Sequence, residues 1–161
     1  MTGKSLTVQS NDILARLFFK LALAQLKKFS SGEHQLPSRY CIQNLRKAAE
    51  RGHLEANSQL GCLLLHHGAT RTDKRIGIEY VVAAAKRGNA DAQYELARAY
   101  QLGLELYSKN ELAAVHWYTL SAENGNKSAA RCLAEAYSAG SLGVLENKDK
   151  AQRWLDLAHA S

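Results

Sequence analysis

The sequence predicts an all-α fold, an α-solenoid of antiparallel helix pairs, and three observations carry that expectation. One signature recurs every 36 to 37 residues: Gly52, Gly88 and Gly125 each close a helical run, Leu60, Leu96 and Leu133 share a register, and so do Ala56, Ala92 and Ala129. In the other half of the unit Asp73, Asn110 and Asn147 are followed by Gly77, Ala114 and Ala151, then by Tyr80, Trp117 and Trp154. A single proline, Pro37, stands in 161 residues, as suits a chain that is helical nearly throughout. Self-similarity at a fixed period of this length marks a stacked repeat array.

Residues 1–10 are expected to form a flexible N-terminus. An atypical capping unit follows over residues 11–53. Its first helix runs from about Asn11 to Phe29, and a loop through Ser30-Ser31-Gly32-Glu33-His34 and Pro37-Ser38 leads to a second helix ending at Gly52. The second helix fits the repeat, because Ala48-Ala49 match Ala84-Ala85 and Ser121-Ala122. The first is longer, basic and richer in leucine and phenylalanine; terminal repeats depart in this way because one face meets water instead of a neighbour.

Three full repeats then cover residues 54–88, 89–125 and 126–161. In the middle one the spacing predicts a first helix from about Ala90 to Leu102, with Ala92, Leu96, Ala99 and Tyr100 on one face. Gly103 ends it, and Asn110 is placed to cap the second helix, as Asp73 and Asn147 are in their repeats. That helix carries Ala113, Ala114, Trp117, Leu120 and Ala122 and stops at Gly125. Small residues beside the repeated leucine (Gly61, Ala97, Ala134) let two helices approach closely, and Leu64, Tyr100 and Tyr137 fill the gap one turn on.

Composition excludes several classes. Hydrophobic residues make up 46% and charged residues 22%, which is globular rather than disordered. Of the net charge of +6, residues 1–50 hold +5 (eight Lys/Arg against Asp12, Glu33 and Glu50), so the repeats are nearly neutral. A nucleic-acid protein of this size usually spreads a basic stripe along its binding face, and that pattern is missing. Cys41, Cys62 and Cys132 are odd in number and form no CxxC pair, which signals neither a disulfide framework nor a zinc site and favours a reducing, cytoplasmic setting. Residues 13–24 are apolar, but Arg16 and Lys20 interrupt them and no small-residue cleavage site follows, against a secretory signal. No stretch approaches the ~20 apolar residues of a membrane span.

The run Gly88-Asn89-Ala90-Asp91-Ala92-Gln93-Tyr94-Glu95-Leu96-Ala97-Arg98-Ala99-Tyr100, with Gly103, Ala113-Ala114-Val115-His116-Trp117-Tyr118 and Ser121-Ala122-Glu123-Asn124-Gly125, resembles a Sel1-like repeat. The last repeat adds Gly143-Val144 and Lys150-Ala151-Gln152-Arg153-Trp154. The resemblance covers residues 54–161 well, 38–53 partly and 1–37 not at all. It implies a tetratricopeptide-like, right-handed superhelix and an adaptor that scaffolds protein complexes. Some secreted bacterial members staple each helix pair with cysteines eight positions apart; that pairing is absent here, which tells against a secreted protein and against the penicillin-binding activity of that subgroup.

Chemistry finds little support. His66 and His67 are adjacent, so their side chains diverge by about 100° on a helix and do not share a metal. Trp117 sits at the Tyr80 and Trp154 position, where the second helix packs, so His116-Trp117-Tyr118 reads as core packing. Cys62 lacks the His/Asp partners of a nucleophile. Glycines come singly at helix ends, unlike a phosphate-binding loop. No enzyme, cofactor or metal is expected.

The resemblance implies that first helices line a concave groove. Positions −5, −2, +2 and +5 from the repeated leucine then face a ligand: Glu55, Ser58, Cys62 and Leu65; Asp91, Tyr94, Arg98 and Gln101; Ser128, Arg131, Glu135 and Ser138. Tyr94, Arg98 and Arg131 are the residue types that anchor interfaces. The expected function is a non-catalytic scaffold holding a protein or peptide of mixed charge, with nucleic acid not expected as a partner. The alternatives are nucleic-acid or anionic-membrane binding through the basic N-terminal segment, and a hydrolase acting on envelope material. The amphipathic helix over 11–29, with Ile13, Leu14, Leu17, Phe18, Leu21 and Leu26 as a wide apolar face, is expected to cap the first repeat, or else to meet a partner or a membrane surface. Trp154, Leu155 and Leu157 on the last helix leave an apolar end that invites self-association.

Overall fold

The computed structural model describes residues 3–30, 38–104 and 106–160, with α1 side chains from Ser10 to Lys27. They form α1 (Gly3–Ser30), α2 (Arg39–Glu50), α3 (Leu54–His67), α4 (Arg71–Lys86), α5 (Ala90–Leu102), α6 (Glu111–Glu123), α7 (Lys127–Ala139) and α8 (Lys148–His159), with no strand among the described residues. The helices pair in chain order, α1 with α2 through to α7 with α8, and successive pairs pack through α2–α3, α4–α5 and α6–α7. The all-α solenoid read from the period is therefore the architecture observed. The first helix starts at Gly3 instead of Asn11, so most of the segment expected to be flexible is helical. The expected loop over 31–37 lies outside the described residues.

Local chemistry sets the ends of the elements. Asn89 and Asn126 cap α5 and α7, accepting hydrogen bonds from the Ala92 and Ala129 N–H groups at 2.8 and 2.9 Å. Asn110 and Asn147 cap α6 and α8 as expected. Asp73 does not cap α4. Thr70 does, and Asp73 sits three residues inside the helix as its partner in a reciprocal capping box, at 3.0 Å in each direction. Two satisfied N–H donors there make an earlier start favourable, so the helix begins a turn sooner. The loops close on glycines with positive φ: Gly52 (+83°), Gly88 (+88°) and Gly125 (+95°), a conformation that a Cβ disfavours.

The core forms where pairs meet. Leu60, Leu96 and Leu133 are at most 2% exposed, and Ala56, Ala92 and Ala129 are fully buried. Burying each leucine contributes about 1.5–3 kcal/mol. On the second helices the deepest position is one residue beyond the expected one. Val81 and Tyr118 are buried, whereas Tyr80, Trp117 and Trp154 are half-buried. Trp117 is long enough to touch the two clusters on either side of its pair.

Polar links join neighbouring repeats at the same register. The capping Asn89 also donates from Nδ2 to Glu55 Oε2 at 3.2 Å, and Asn126 donates to Asp91 Oδ1 at 2.8 Å. Within the middle repeat, the buried Ser121 hydroxyl of α6 donates to the Ala90 carbonyl of α5 at 2.6 Å, and Asn124 donates to Gln93 at 2.9 Å. One asparagine thus both caps its own helix and ties it to the repeat before.

Repeat one crosses most tightly. A Cβ on Gly77 would lie 2.7 Å from the Leu65 nitrogen and 2.9 Å from the Gly61 carbonyl oxygen, both backbone atoms that cannot swing aside. The equivalent positions elsewhere are Ala114 and Ala151, so α3 and α4 are closer than the other pairs. We expect Gly77→Ala to destabilise the fold by about 1–3 kcal/mol through overpacking, measured as a lower urea midpoint, although alanine suits the other two repeats.

His53 caps α3 through Nδ1, which accepts from the Ala56 N–H at 3.3 Å, while its ring stacks on Phe19 of α1 with centroids 4.3 Å apart. Only the neutral ring can accept this bond. Burial holds the His53 pKa below its ordinary 6.5; Arg16 of α1 and Arg87, the residue that caps the end of α4, push the same way, while Glu55 of α3 and Asp12 of α1 oppose. A pKa lower in the fold than in the unfolded chain gives stability that is present above the ordinary value and lost as pH falls. His53→Asn supplies a pH-independent cap. We expect wild type to lose more thermal midpoint than this variant between about pH 7.5 and about pH 5.

Candidate functional site

α3 packs directly on α5, a contact that no pair of second helices matches among the described residues, so at this joint the first helices lie on the inner side of the stack, here called its inner wall. The wall is built from small residues at its base and longer ones at its rim.

At its centre lies an acid that the register reading passed over. Glu95, with a side chain 14% exposed, receives His66 Nε2 of the preceding repeat at 3.0 Å and Arg98 Nη1 at 3.5 Å. The Arg98 guanidinium lies 6.0 Å from the centre of the Tyr94 ring, and Tyr94 meets Tyr118 with centroids 5.7 Å apart. Beneath them the Tyr118 hydroxyl donates to Gln101 Oε1 at 2.6 Å. His66, Glu95, Arg98, Tyr94, Tyr118 and Gln101 thus form one connected patch spanning α3, α5 and α6. The sequence did carry a signal for Glu95, since an acid three residues before an arginine on a helix is a ready ion pair. Tyr118 gave none, because a residue on a second helix was not expected to reach the inner wall.

The expected groove residues divide. Asp91, Ser128, Arg131, Glu135, Ser138 and Glu55 are exposed, and Cys62, Tyr94, Arg98 and Gln101 are partly so. Glu55 and Asp91 are bound by Asn89 and Asn126 of the following repeats. Ser58 and Leu65 do not face a ligand: they are 2% and 8% exposed. Serine is too short to rise above its neighbours where Tyr94 and Arg131 do, and Leu65 turns into the joint to pack with Val81 and Leu96. Arg131, Glu135 and Ser138 border a cleft of about 450 Å³ floored by Ala134, Ala151 and Leu155.

The wall also holds two thiols. Burial and the nearby Glu95 and Asp91 push the Cys62 thiol up to about 12. Burial, then Glu135, raises Cys132, which sits beside Tyr94 and Tyr118. Burial thus keeps both thiols from being activated as thiolates. Among the described residues no group of three or more His, Cys, Asp or Glu could hold a metal ion, and no helix is long and apolar enough to cross a membrane. We expect Cys62 to resist alkylation by iodoacetamide at about pH 8 in the folded chain and to react once the chain is unfolded in urea, as read by mass spectrometry of the modified peptide.

The model of the Sel1 repeat family matches residues 38–53, 54–89, 90–126 and 128–158. Among solved structures, a Sel1 repeat protein from Oxalobacter formigenes is 30% identical and superposes with a TM-score of 0.77 over 93% of this chain and 59% of its own. A protective antigen of uropathogenic Escherichia coli, c5321, shares the fold at 22% identity, with a TM-score of 0.74 over 96% of this chain and 32% of its own. The immunity protein Pa5087 from Pseudomonas aeruginosa is 26% identical, with a TM-score of 0.58 over 71% of this chain and 43% of its own. No match was found among curated proteins. This chain thus spans less than two thirds of each of these structures. With all four helix pairs matched in part or in full, the chain belongs to the Sel1 repeat family, whose non-catalytic helix-pair fold is typical of protein–protein interaction modules.

Proposed function

We propose that this chain is an adaptor that holds a segment of another protein along the inner wall of its solenoid. The observation that carries the reading is the patch around Glu95, where Arg98 and Tyr94 stand partly exposed over the mostly buried Glu95 carboxylate and a hydrogen-bonded base. Tyr94 and Arg98 supply the flat amphipathic ring and planar cation that favour interface anchoring, and Arg131 extends the set toward the open cleft. Because Glu55, Asp91, Glu95 and Glu135 stand with Arg98 and Arg131, a partner of mixed charge fits better than a polyanion. The cytoplasmic setting expected from the cysteine usage belongs to the same proposal.

Site-directed photocrosslinking tests the reading in the source cells. A photoreactive residue at position 131 on the inner wall should capture a protein that the same group at position 116, exposed on α6, does not. The Tyr94→Ala and Arg98→Ala substitutions should each weaken binding of that partner by about tenfold or more, the scale of an interface anchor. Equal capture from position 116, or full affinity in both variants, would overturn it.

A further inference from the structure

α1 docks on the array along one line only. Ala15 and Ala22 are buried, and Phe18, Phe19 and Leu26 pack beside them on the cluster that holds Leu45 and Leu60. At about 100° per residue, Leu17 and Leu21 point roughly 200° and 240° away from Ala15. The face expected to cap the first repeat is therefore split. Phe18 and Leu26 do so, while Ile13, Leu14, Leu17 and Leu21 stand 66%, 40%, 50% and 48% exposed on the side away from the repeats. Of the eleven exposed large apolar side chains among the described residues, five are on this one helix.

Cations frame that ridge on both sides. Arg16, Lys20 and Lys27 are exposed along one edge, with Arg16 paired to Asp12 at 2.8 Å. On the other edge the Lys47 ammonium and the Arg51 guanidinium from the end of α2 lie 5.2 and 5.1 Å from the centre of the Phe18 ring. α1 and α2 together carry eight Lys/Arg and only two acids, Asp12 and Glu50.

The shape selects the occupant. The ridge is a convex outward face of one helix at the end of the stack, so it offers no groove for a peptide. Nucleic acid would use the cations and leave the aliphatic row in water. A second copy would bring its own cations against these. A flat surface that is apolar inside and negative outside meets every feature at once: aliphatic chains enter, and flanking Lys and Arg side chains reach headgroup level. We propose that α1 is a peripheral membrane contact that lies on an anionic lipid bilayer, with Ile13, Leu14, Leu17 and Leu21 inserted at the acyl boundary and Arg16, Lys20, Lys47 and Arg51 on the headgroups. The contact is independent of the inner wall.

Co-sedimentation of the full chain with vesicles tests it. Binding is expected to phosphatidylcholine vesicles containing about 30% phosphatidylserine, not to phosphatidylcholine alone, and it should weaken as salt rises. The double substitution Leu17→Glu and Leu21→Glu should lower partitioning about tenfold or more, with an unchanged thermal midpoint because both side chains are exposed. Arg98→Ala should bind vesicles like wild type, so this result stands apart from the fate of the inner-wall reading. The proposal is overturned by binding that ignores phosphatidylserine, by no binding, or by a Leu17→Glu/Leu21→Glu chain that binds normally. A wild-type dimer in sedimentation velocity that this variant converts to monomer, with no vesicle binding, assigns the ridge to a second copy instead.

Discussion

Each helix pair in this protein has two apolar flanks and no means of covering them by itself. That constraint forces the array. Ala56, Ala92 and Ala129 reach full burial only because the pair before them lies against their first helix. Alanines line both sides of the joints: Ala84 and Ala85 on α4 share a cluster with Ala92 on α5, and Ala122 on α6 shares one with Ala129 on α7, while the bulkier Tyr80 and Trp117 stay half-buried. These small residues let successive pairs close up, and α3 comes directly onto α5. The asparagine links then fix the angle, since Asn89 and Asn126 must satisfy their own helix ends and reach the previous repeat in one geometry.

The constraint is least satisfied at the ends. Leu155 occupies the register of the buried Val81 and Tyr118 but is only half-buried, and Leu157 is 40% exposed, beside a cleft of about 480 Å³ lined by Trp154, Tyr137 and Arg153. At the other end α1 meets the same problem with a different composition. It replaces the repeated leucine face by alanines and phenylalanines that dock on α2 and carries a second apolar row on its back. A helix that only had to cap the array would gain nothing from that row, because a polar side chain in water costs nothing there.

How much was legible in the sequence depends on whether period or length decided a position. The period settled the helix pairs, the ends of α5, and the burial of Leu60, Leu96 and Leu133, because each packs in the same place in every repeat. Period alone failed where neighbours differ in size. Ser58 shares a register with Tyr94 and Arg131 yet is buried, since a short side chain sinks where a long one projects. It failed again at Asp73, because Thr70 three residues earlier offers a better start to the helix. Tyr118 escaped notice for a related reason: a tyrosine is long enough to cross from a second helix to the inner wall, whereas Val81 at its register is not.

If the inner wall holds a partner as proposed, stacking and binding would use the same groups there, and this would shape what the wall can hold. Glu95 is mostly buried and already holds His66 from one repeat and Arg98 from its own helix. A partner's cation that reaches Glu95 must displace one of them, and a partner's carboxylate that reaches Arg98 loosens the pair from the other side. Either exchange replaces one polar contact of Glu95 or Arg98 with another, so the net gain is small unless the displaced group finds a new partner. A ligand with one sign of charge leaves a buried charge behind. A ligand with both signs at the spacing of this pair exchanges both partners at once and leaves none, so under the proposed reading charge pattern, more than total charge, would be the basis of selection.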